Sequence, residues 1–279
     1  MLSGQPSRTA MGAAAHRAAH QVLERGFVFA DPLALRILGD AAAATVRDAR
    51  NDPSKRVLRM FIAARSRFAE DALAETVARG VRQLVVLGAG LDTYAYRGAH
   101  RDRLRVFEVD HPATQAWKLE RLASAAIPLP GTLAFVPVDF ERESLPDGLA
   151  AAGFDPAQQT FFTWLGVVPY LASQAVIATL RFVAGIPGGA HIVFDYSNPP
   201  VSISANGRAV HDSLASRVAA AGESFLSYFE TDSLHARLST IGFREIEDLG
   251  AAQMAARFLP GRGVTAAGHG GHVLRASTI

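Results

Sequence analysis

The chain has 279 residues, of which 49% are hydrophobic and 19% are charged, with a formal net charge of +2 and no cysteine. This composition argues against disorder, and the absence of cysteine excludes disulfides, thiolate metal sites and cysteine nucleophiles. The small, scattered basic excess gives no case for a nucleic-acid partner, and no membrane span or secretory signal is evident, so we expect a cytoplasmic protein without a membrane partner.

The N-terminal part of the chain predicts helices. An alanine-rich helix is expected over 7–25. Asp31 is a good helix N-cap and is followed by a proline suited to the first helical position, so a second helix is expected from there to Gly39. A longer amphipathic helix is predicted over 54–79, because its apolar residues recur at helical spacing.

The rest of the chain alternates strand-like and helix-like segments, which predicts an α/β fold with a mainly parallel sheet covered by helices on both faces. Segment 198–230 interrupts the pattern and is interpreted as an insertion with a helix-like aromatic stretch. We expect one domain, 1–279, with a helical cap over 1–80 and a Rossmann-like core over 81–279. The last two strands are expected to form an antiparallel hairpin at the sheet edge. The predicted strands are Leu84–Leu87, Leu104–Val109, Leu133–Val138, Thr160–Leu165, Ala190–Tyr196, Phe243–Leu249 and His272–Ala276.

The most informative segment is QLVVLGAGLDTYAYR, residues 83–97, in which a buried strand ends in Gly88-Ala89-Gly90. A Gly-x-Gly turn at the end of a strand lets a ligand approach the backbone closely. A dinucleotide fingerprint needs a third glycine where this chain has Thr93, and no Gly-Lys-Ser/Thr phosphate loop is present. The turn therefore favours a nucleoside ligand without a pyrophosphate, and an NAD(P)-linked oxidoreductase is the less favoured alternative.

Three further strand ends carry suggestive residues, and ligands of open parallel sheets bind at such ends. Asp110 follows the glycine turn by about 20 residues, where an acidic side chain can accept hydrogen bonds from ribose hydroxyls. Asp139 and Phe140 follow the third strand, and Leu165 lies at the end of the fourth. The structural alternatives are that Asp110 only caps the next helix and that Asp139 is only a turn residue.

Several motifs together resemble a known family, the S-adenosylmethionine-dependent methyltransferases related to leucine carboxyl methyltransferase. The resemblance covers most of the chain and implies a class I methyltransferase fold with S-adenosylmethionine as cofactor. The segments that carry it are the Asp31-Pro32 pair, AARSRFAED, LGAGLDTYAYR, FEVDHPATQAWKLERL, VPVDF and FFTWLGVVPYL.

By this resemblance, Gly88, Ala89 and Gly90 would approach the methionyl part of the cofactor and Asp110 would bind its ribose. Arg65 would pair with the methionyl carboxylate, which suits a bidentate guanidinium. Taken alone, an arginine on a helix is more often solvated or salt-bridged.

The resemblance also implies that Asp139 and Phe140 flank the adenine. Many members have a glutamate where this chain has Leu165, so an acid near the cofactor's ammonium group is missing. This departure motivates a second alternative, a protein that binds the cofactor but is catalytically silent.

Methyl transfer to an oxygen of a small molecule is the expected reaction. A carboxylate acceptor is ionised at pH 7 and needs no base, whereas a hydroxyl acceptor needs one. The candidate bases are His111, His211, Asp195 and Tyr196, and because no motif singles one out, the catalytic residues stay unassigned.

Two further patterns invite a functional interpretation. His269 and His272, in GHGGH, fall short of the ligand set of a catalytic zinc, so no metal site is expected. Aromatic residues later in the chain are candidates for an acceptor wall, with core packing as the more common alternative. They are Tyr170, Tyr196, Phe225, Tyr228 and Phe229.

Overall fold

The computed structural model describes residues 7–139, 142–220, 222–260 and 270–279, and its centre is one seven-stranded sheet. The strands are β1 (Gln83–Leu87), β2 (Arg105–Asp110), β3 (Leu133–Pro137), β4 (Thr160–Trp164), β5 (Ala190–Ser197), β6 (Glu245–Leu249) and β7 (Gly271–Ser277). The helices are α1 (Arg8–Leu23), α2 (Ala41–Asn51), α3 (Arg56–Ala78), α4 (Tyr94–Arg97), α5 (Pro112–Ser124), α6 (Leu145–Ala151), α7 (Ser173–Ala184), α8 (Ala205–Ala220), α9 (Thr231–Ile241) and α10 (Ala251–Phe258).

The strand order is β3-β2-β1-β4-β5-β7-β6, with β1 to β5 parallel and β7 antiparallel to both of its neighbours. The predicted parallel sheet and the class I methyltransferase fold are thus confirmed. The last two strands do pair in antiparallel fashion, but β7 lies inside the sheet, and of these two strands only β6 lies at an edge. The order reverses direction between β1 and β4, which opens a crevice at the carboxyl ends of these strands.

Alternate residues of β1 enter two different cores, because successive side chains of a strand point to opposite faces. Leu84 and Val86 join a core that also contains buried residues of α1 and α3, such as Ala18. Val85 and Leu87 join a second core with α7 and α9. Helices therefore cover both faces of the sheet, and the N-terminal helices share a core with the strand that carries the glycine turn.

The helix expected from Asp31 to Gly39 is wrong, since residues 32–40 form successive turns. The N–H of Gly39 donates to the carbonyl of Arg36, a three-residue spacing that does not propagate an α-helix. Asp31 does cap these turns, because its Oδ1 accepts a 3.0 Å hydrogen bond from the N–H of Leu33, while its Oδ2 accepts one of 2.8 Å from the hydroxyl of Thr93 beside the glycine turn.

The insertion also differs from its prediction. Its helix, α8, precedes the aromatic residues, and residues 223–230 that carry Phe225, Tyr228 and Phe229 have no regular secondary structure. Within the described ranges, no helix combines the length and apolar character needed to cross a bilayer.

Candidate active site

A cavity of about 500 Å³ lies at the carboxyl ends of β1, β2 and β4. Its wall includes every predicted site residue that the structure describes, whereas Phe140 lies outside the described residues. Those lining residues are Arg65, Gly88, Ala89, Gly90, Asp110, Asp139 and Leu165.

The glycine turn is held between two other parts of the wall. Gly88 and Gly90 both adopt positive φ, +66° and +45°, which glycine tolerates best. A Cβ at Gly90 would lie 2.9 Å from the Cβ of Ala10 in α1, and a Cβ at Gly88 would collide with the side chain of Val167. Both positions therefore require glycine for close packing as well as for backbone conformation.

Asp110 is a buried carboxylate at the end of β2, and it ties the turn to that strand. Its Oδ2 accepts a 2.5 Å hydrogen bond from the N–H of Gly90, and its Oδ1 accepts one of 2.7 Å from the N–H of His111. Burial raises the pKa of Asp110, and the hydrogen bonds from these two N–H groups offset part of that rise. The simple capping alternative is wrong, because His111 caps α5 by accepting from the N–H of Ala113.

An ion pair lies on the same face of β2, two residues before Asp110. Glu108 and Lys118 are 2.7 Å apart and almost fully buried, and the hydroxyl of Tyr96 donates to the same carboxylate. Burial raises the pKa of Glu108. Because buried charges are costly without partners, this cluster fixes how α5 packs against β2.

Arg65, on α3, is a salt-bridged arginine within the cavity wall. Its Nη1 lies 2.6 Å from Oδ2 of Asp195 on β5, and both side chains are buried. The other oxygen of Asp195 accepts a 2.5 Å hydrogen bond from the N–H of Gly166, just after β4. The buried Nε of Arg65 has no hydrogen-bond partner within the described ranges, and Arg65 lines the cavity.

Asp139 and Leu165 lie in other parts of the wall. Asp139 is half-buried, its N–H donates to Glu143 at 2.7 Å, and its carboxylate lies 3.8 Å from Arg142 Nε. Leu165 is half-buried and packs against the core that contains α1 and α3. The wall between Arg65 and the end of β4 is therefore apolar at position 165.

Three of the four candidate bases are engaged elsewhere. Asp195 holds Arg65 and Gly166, as described above. Tyr196 donates a 2.6 Å hydrogen bond to Asp248, and burial raises its pKa. His211 contacts Asp212 and the hydroxyl of Tyr228, each at 3.1 Å. His111 does line the cavity, with its Nδ1 used in capping α5.

The sequence prediction missed two parts of the wall. Arg17 of α1 donates a 2.5 Å hydrogen bond to the carbonyl of Leu91, just beyond the glycine turn. Glu223, in the insertion, accepts from the hydroxyl of Thr9 at 2.7 Å. Neither contact has a local sequence signal, because each joins residues that are far apart in the chain.

The histidines of GHGGH do not form a described pair, since His269 lies outside the described residues. His272 contacts Asp248 at 2.8 Å and the side-chain oxygen of Asn198 at 2.9 Å. Within the described ranges, no three His, Asp or Glu side chains are placed together so that they could hold a metal ion. Of the proposed acceptor-wall aromatics, Tyr170 lines the cavity and packs against Phe225, with ring centres 5.4 Å apart and ring planes tilted by 41°.

Most residues of the cavity wall lie in a part of the chain that matches a known protein family. Residues 10–184, more than half of the chain, match the leucine carboxyl methyltransferase family. YktD of Bacillus subtilis, whose name proposes S-adenosyl-L-methionine-dependent methyltransferase activity, is 35% identical over 188 residues, which are 67% of this chain and 62% of YktD. A Frankia alni protein with the same proposed activity is 37% identical over 64% of each chain. The match therefore spans less than two thirds of the length of either relative.

One solved structure supports the fold over nearly the whole chain. A DUF574 family protein from Streptomyces avermitilis superposes with a TM-score of 0.57 over 96% of this chain and 97% of its own, at 15% sequence identity.

Proposed function

This chain belongs to the leucine carboxyl methyltransferase family, and we propose that it transfers the methyl group of S-adenosylmethionine to an oxygen of a small molecule. The observation that carries the proposal is a single cavity that has a glycine turn and a buried carboxylate in one wall and a half-engaged guanidinium in another. These features match a nucleoside that carries an amino acid. A volume of about 500 Å³ is also within the range of small-molecule sites.

Each part of the cofactor has a partner in this proposal. The oxygens of Asp110 each keep a free acceptor position beside their backbone donors, which suits the ribose hydroxyls. The turn Gly88–Gly90 allows close approach to the methionyl part, and Asp139 would lie beside the adenine. The unpartnered side of Arg65 suits the methionyl carboxylate, because guanidinium binds carboxylates through two parallel hydrogen bonds.

When bound, S-adenosylmethionine supplies a methyl group already activated by its sulfonium. The residues of the cavity therefore contribute mainly alignment and exclusion of water. In this proposal Gly88 and Leu165 would line the methionyl end of the cavity, and the apolar Leu165 side chain would help to exclude water there.

We propose a carboxylate as the acceptor. The resemblance to the family supports this choice. Asp195, Tyr196 and His211 are engaged with other groups, so of the four candidate bases only His111 lines the cavity and could serve a hydroxyl acceptor. A carboxylate is ionised at pH 7 and attacks without a base.

Calorimetric titration with S-adenosylmethionine and S-adenosylhomocysteine tests cofactor binding. A panel of carboxylic acids and phenols with radiolabelled methyl donor then tests transfer, and we expect label in the acids. Absence of binding at millimolar cofactor would contradict the proposal. Binding without transfer to any acceptor would favour the catalytically silent alternative instead.

A further inference from the structure

Asp195 touches two parts of the cavity wall, although it is not itself part of that wall. Its Oδ2 pairs with Nη1 of Arg65 on α3, and its Oδ1 accepts from the N–H of Gly166 after β4. Asp195 lies on β5 and is 4% exposed as a residue, so three elements converge on one buried side chain.

We propose that Asp195 is a positioning residue for the amino acid end of the cofactor. The inference rests on the proposed function. By binding Nη1, Asp195 turns the Nε–Nη2 side of Arg65 toward the methionyl carboxylate, and by binding Gly166 it fixes the turn against which the guanidinium lies.

The packing around Arg65 supports a fixed orientation. The guanidinium carbon lies 5.8 Å from the ring centre of Phe61, and a Cβ at Gly166 would lie 2.7 Å from Nη2. A planar group held on one side by a carboxylate and on another by a glycine has little freedom, so the remaining side presents a defined geometry. Such preorganisation reduces the entropy lost when a ligand carboxylate binds.

Asp195 provides the counter-charge of Arg65 in this chain. Leu165 gives the end of β4 no carboxylate, and a buried arginine without a counter-charge is strongly unfavourable. Asp195 supplies that charge from the neighbouring strand, since Trp164 pairs with Phe194 in the β4–β5 register. Of Leu165 and Asp195, only Asp195 carries a charge that can balance that of Arg65.

Removing the charge of Asp195 has two opposing effects on a bound carboxylate. Arg65 would attract it more strongly, because its positive charge is no longer shared. In Asp195→Asn, however, the side-chain oxygen can remain on the N–H of Gly166, which turns the amide NH₂ toward Nη1. Two donors then face each other and the guanidinium must move, so we expect the loss of bidentate geometry to dominate.

The test compares two ligands that differ only at the amino acid end. S-adenosylhomocysteine carries the carboxylate, whereas 5′-methylthioadenosine has the nucleoside and thioether without it. For Asp195→Asn we expect the Kd of S-adenosylhomocysteine to rise at least tenfold, with that of 5′-methylthioadenosine changing less than twofold. Asp248→Asn is the matched control, because Asp248 is a buried acid on β6 with several partners outside the cavity, and both Kd values should stay within twofold.

Three outcomes would overturn the inference: an equal loss for both ligands, an unchanged Kd for S-adenosylhomocysteine, or a tighter one. If Asp195→Asn does not fold, Gly166→Ala gives the same comparison, because its Cβ displaces Nη2 while Asp195 remains. Failure of the wild-type chain to bind either ligand would count against the proposed function itself, which separates the two failures.

Discussion

The carboxylate of Glu223 accepts hydrogen bonds from both the N–H and the hydroxyl of Thr9, at 3.3 and 2.7 Å. Thr9 lies in the first turn of α1, where a negative charge is favourable. The strap that carries Glu223, residues 222–227, is held on its other side by the N–H of Leu226, which donates to the carbonyl of Pro169 at 2.7 Å. It thereby connects two walls of the cavity.

Removing this connection is expected to speed release of the cofactor product. In Glu223→Gln the charge is lost, and hydrogen bonds to a charged group contribute about 1.5 kcal/mol or more when buried. Because Glu223 is half-buried, we expect a smaller effect, a roughly fivefold faster dissociation of S-adenosylhomocysteine in stopped-flow measurements. Glu230→Gln is the control, since Glu230 bonds Ser202 within the same insertion. Equal dissociation rates for both variants would show that the strap does not retain the ligand.

Asp110→Ala is expected to weaken cofactor binding by about 1 kcal/mol or more, on the order of a fivefold rise in Kd. The variant loses the proposed ribose acceptor and also the carboxylate that holds the N–H of Gly90. Calorimetry measures the Kd, with circular dichroism to confirm folding. A folded variant with an unchanged Kd would contradict the ribose assignment.

Gly166→Ala and Gly242→Ala form a matched pair, because both glycines have positive φ, +74° and +125°. Each alanine is expected to cost about 1 kcal/mol of unfolding free energy from backbone strain. The Cβ at Gly166 meets Arg65, whereas nothing lies within 4 Å of a Cβ at Gly242. Only Gly166→Ala should therefore also weaken S-adenosylhomocysteine binding, and equal Kd values for the two variants would contradict this role of Gly166.

Stability should fall in mild acid because of His16. Burial, aided chiefly by the charge of Arg59, lowers the pKa of His16 from 6.5 to about 4. The folded state then binds fewer protons than the unfolded state between these values, so the unfolding free energy decreases as pH falls from 6.5 to 4. Denaturant titrations across this range should show a flatter pH dependence for His16→Gln, by about 1 kcal/mol or more. If the unfolding free energy of the wild type and of His16→Gln changed equally with pH, His16 would make no such contribution.

The parts of the site that were predictable from sequence are local. The Gly88–Gly90 turn follows a run of apolar residues directly, and Asp110 ends the next such run. Strand ends of a parallel sheet share one side, so their residues meet without further information. For the same reason the strands β1 to β5 were predicted to within one or two residues at each end.

The parts that were missed depend on pairings across long stretches of chain. Asp195 and Arg65 are 130 residues apart, and Glu223 and Thr9 are 214 apart. The sequence around an acidic residue does not indicate which distant residue it will pair with, so the pair becomes evident only in the folded structure. The turns at 32–40 were mistaken for a helix because the capping signal of Asp31 is real and its carboxylate does accept from the N–H of Leu33. The backbone hydrogen bonds that follow, such as that from Gly39 to Arg36, have a three-residue spacing that does not propagate an α-helix.

The position of β7 has a consequence for the order in which the protein folds. β7 pairs with β5 and β6 on either side, although it follows both along the chain. The pairing of β7 with β5 joins residues that are far apart in the chain, and such non-local pairings form slowly, so we expect β7 to insert after β1 and β2 have paired. Asp195 lies on β5 and pairs with Val273 of β7 in the sheet register. The part of the site around the Gly88–Gly90 turn and Asp110 would then form early during refolding, and the part in which Asp195 orients Arg65 would form last.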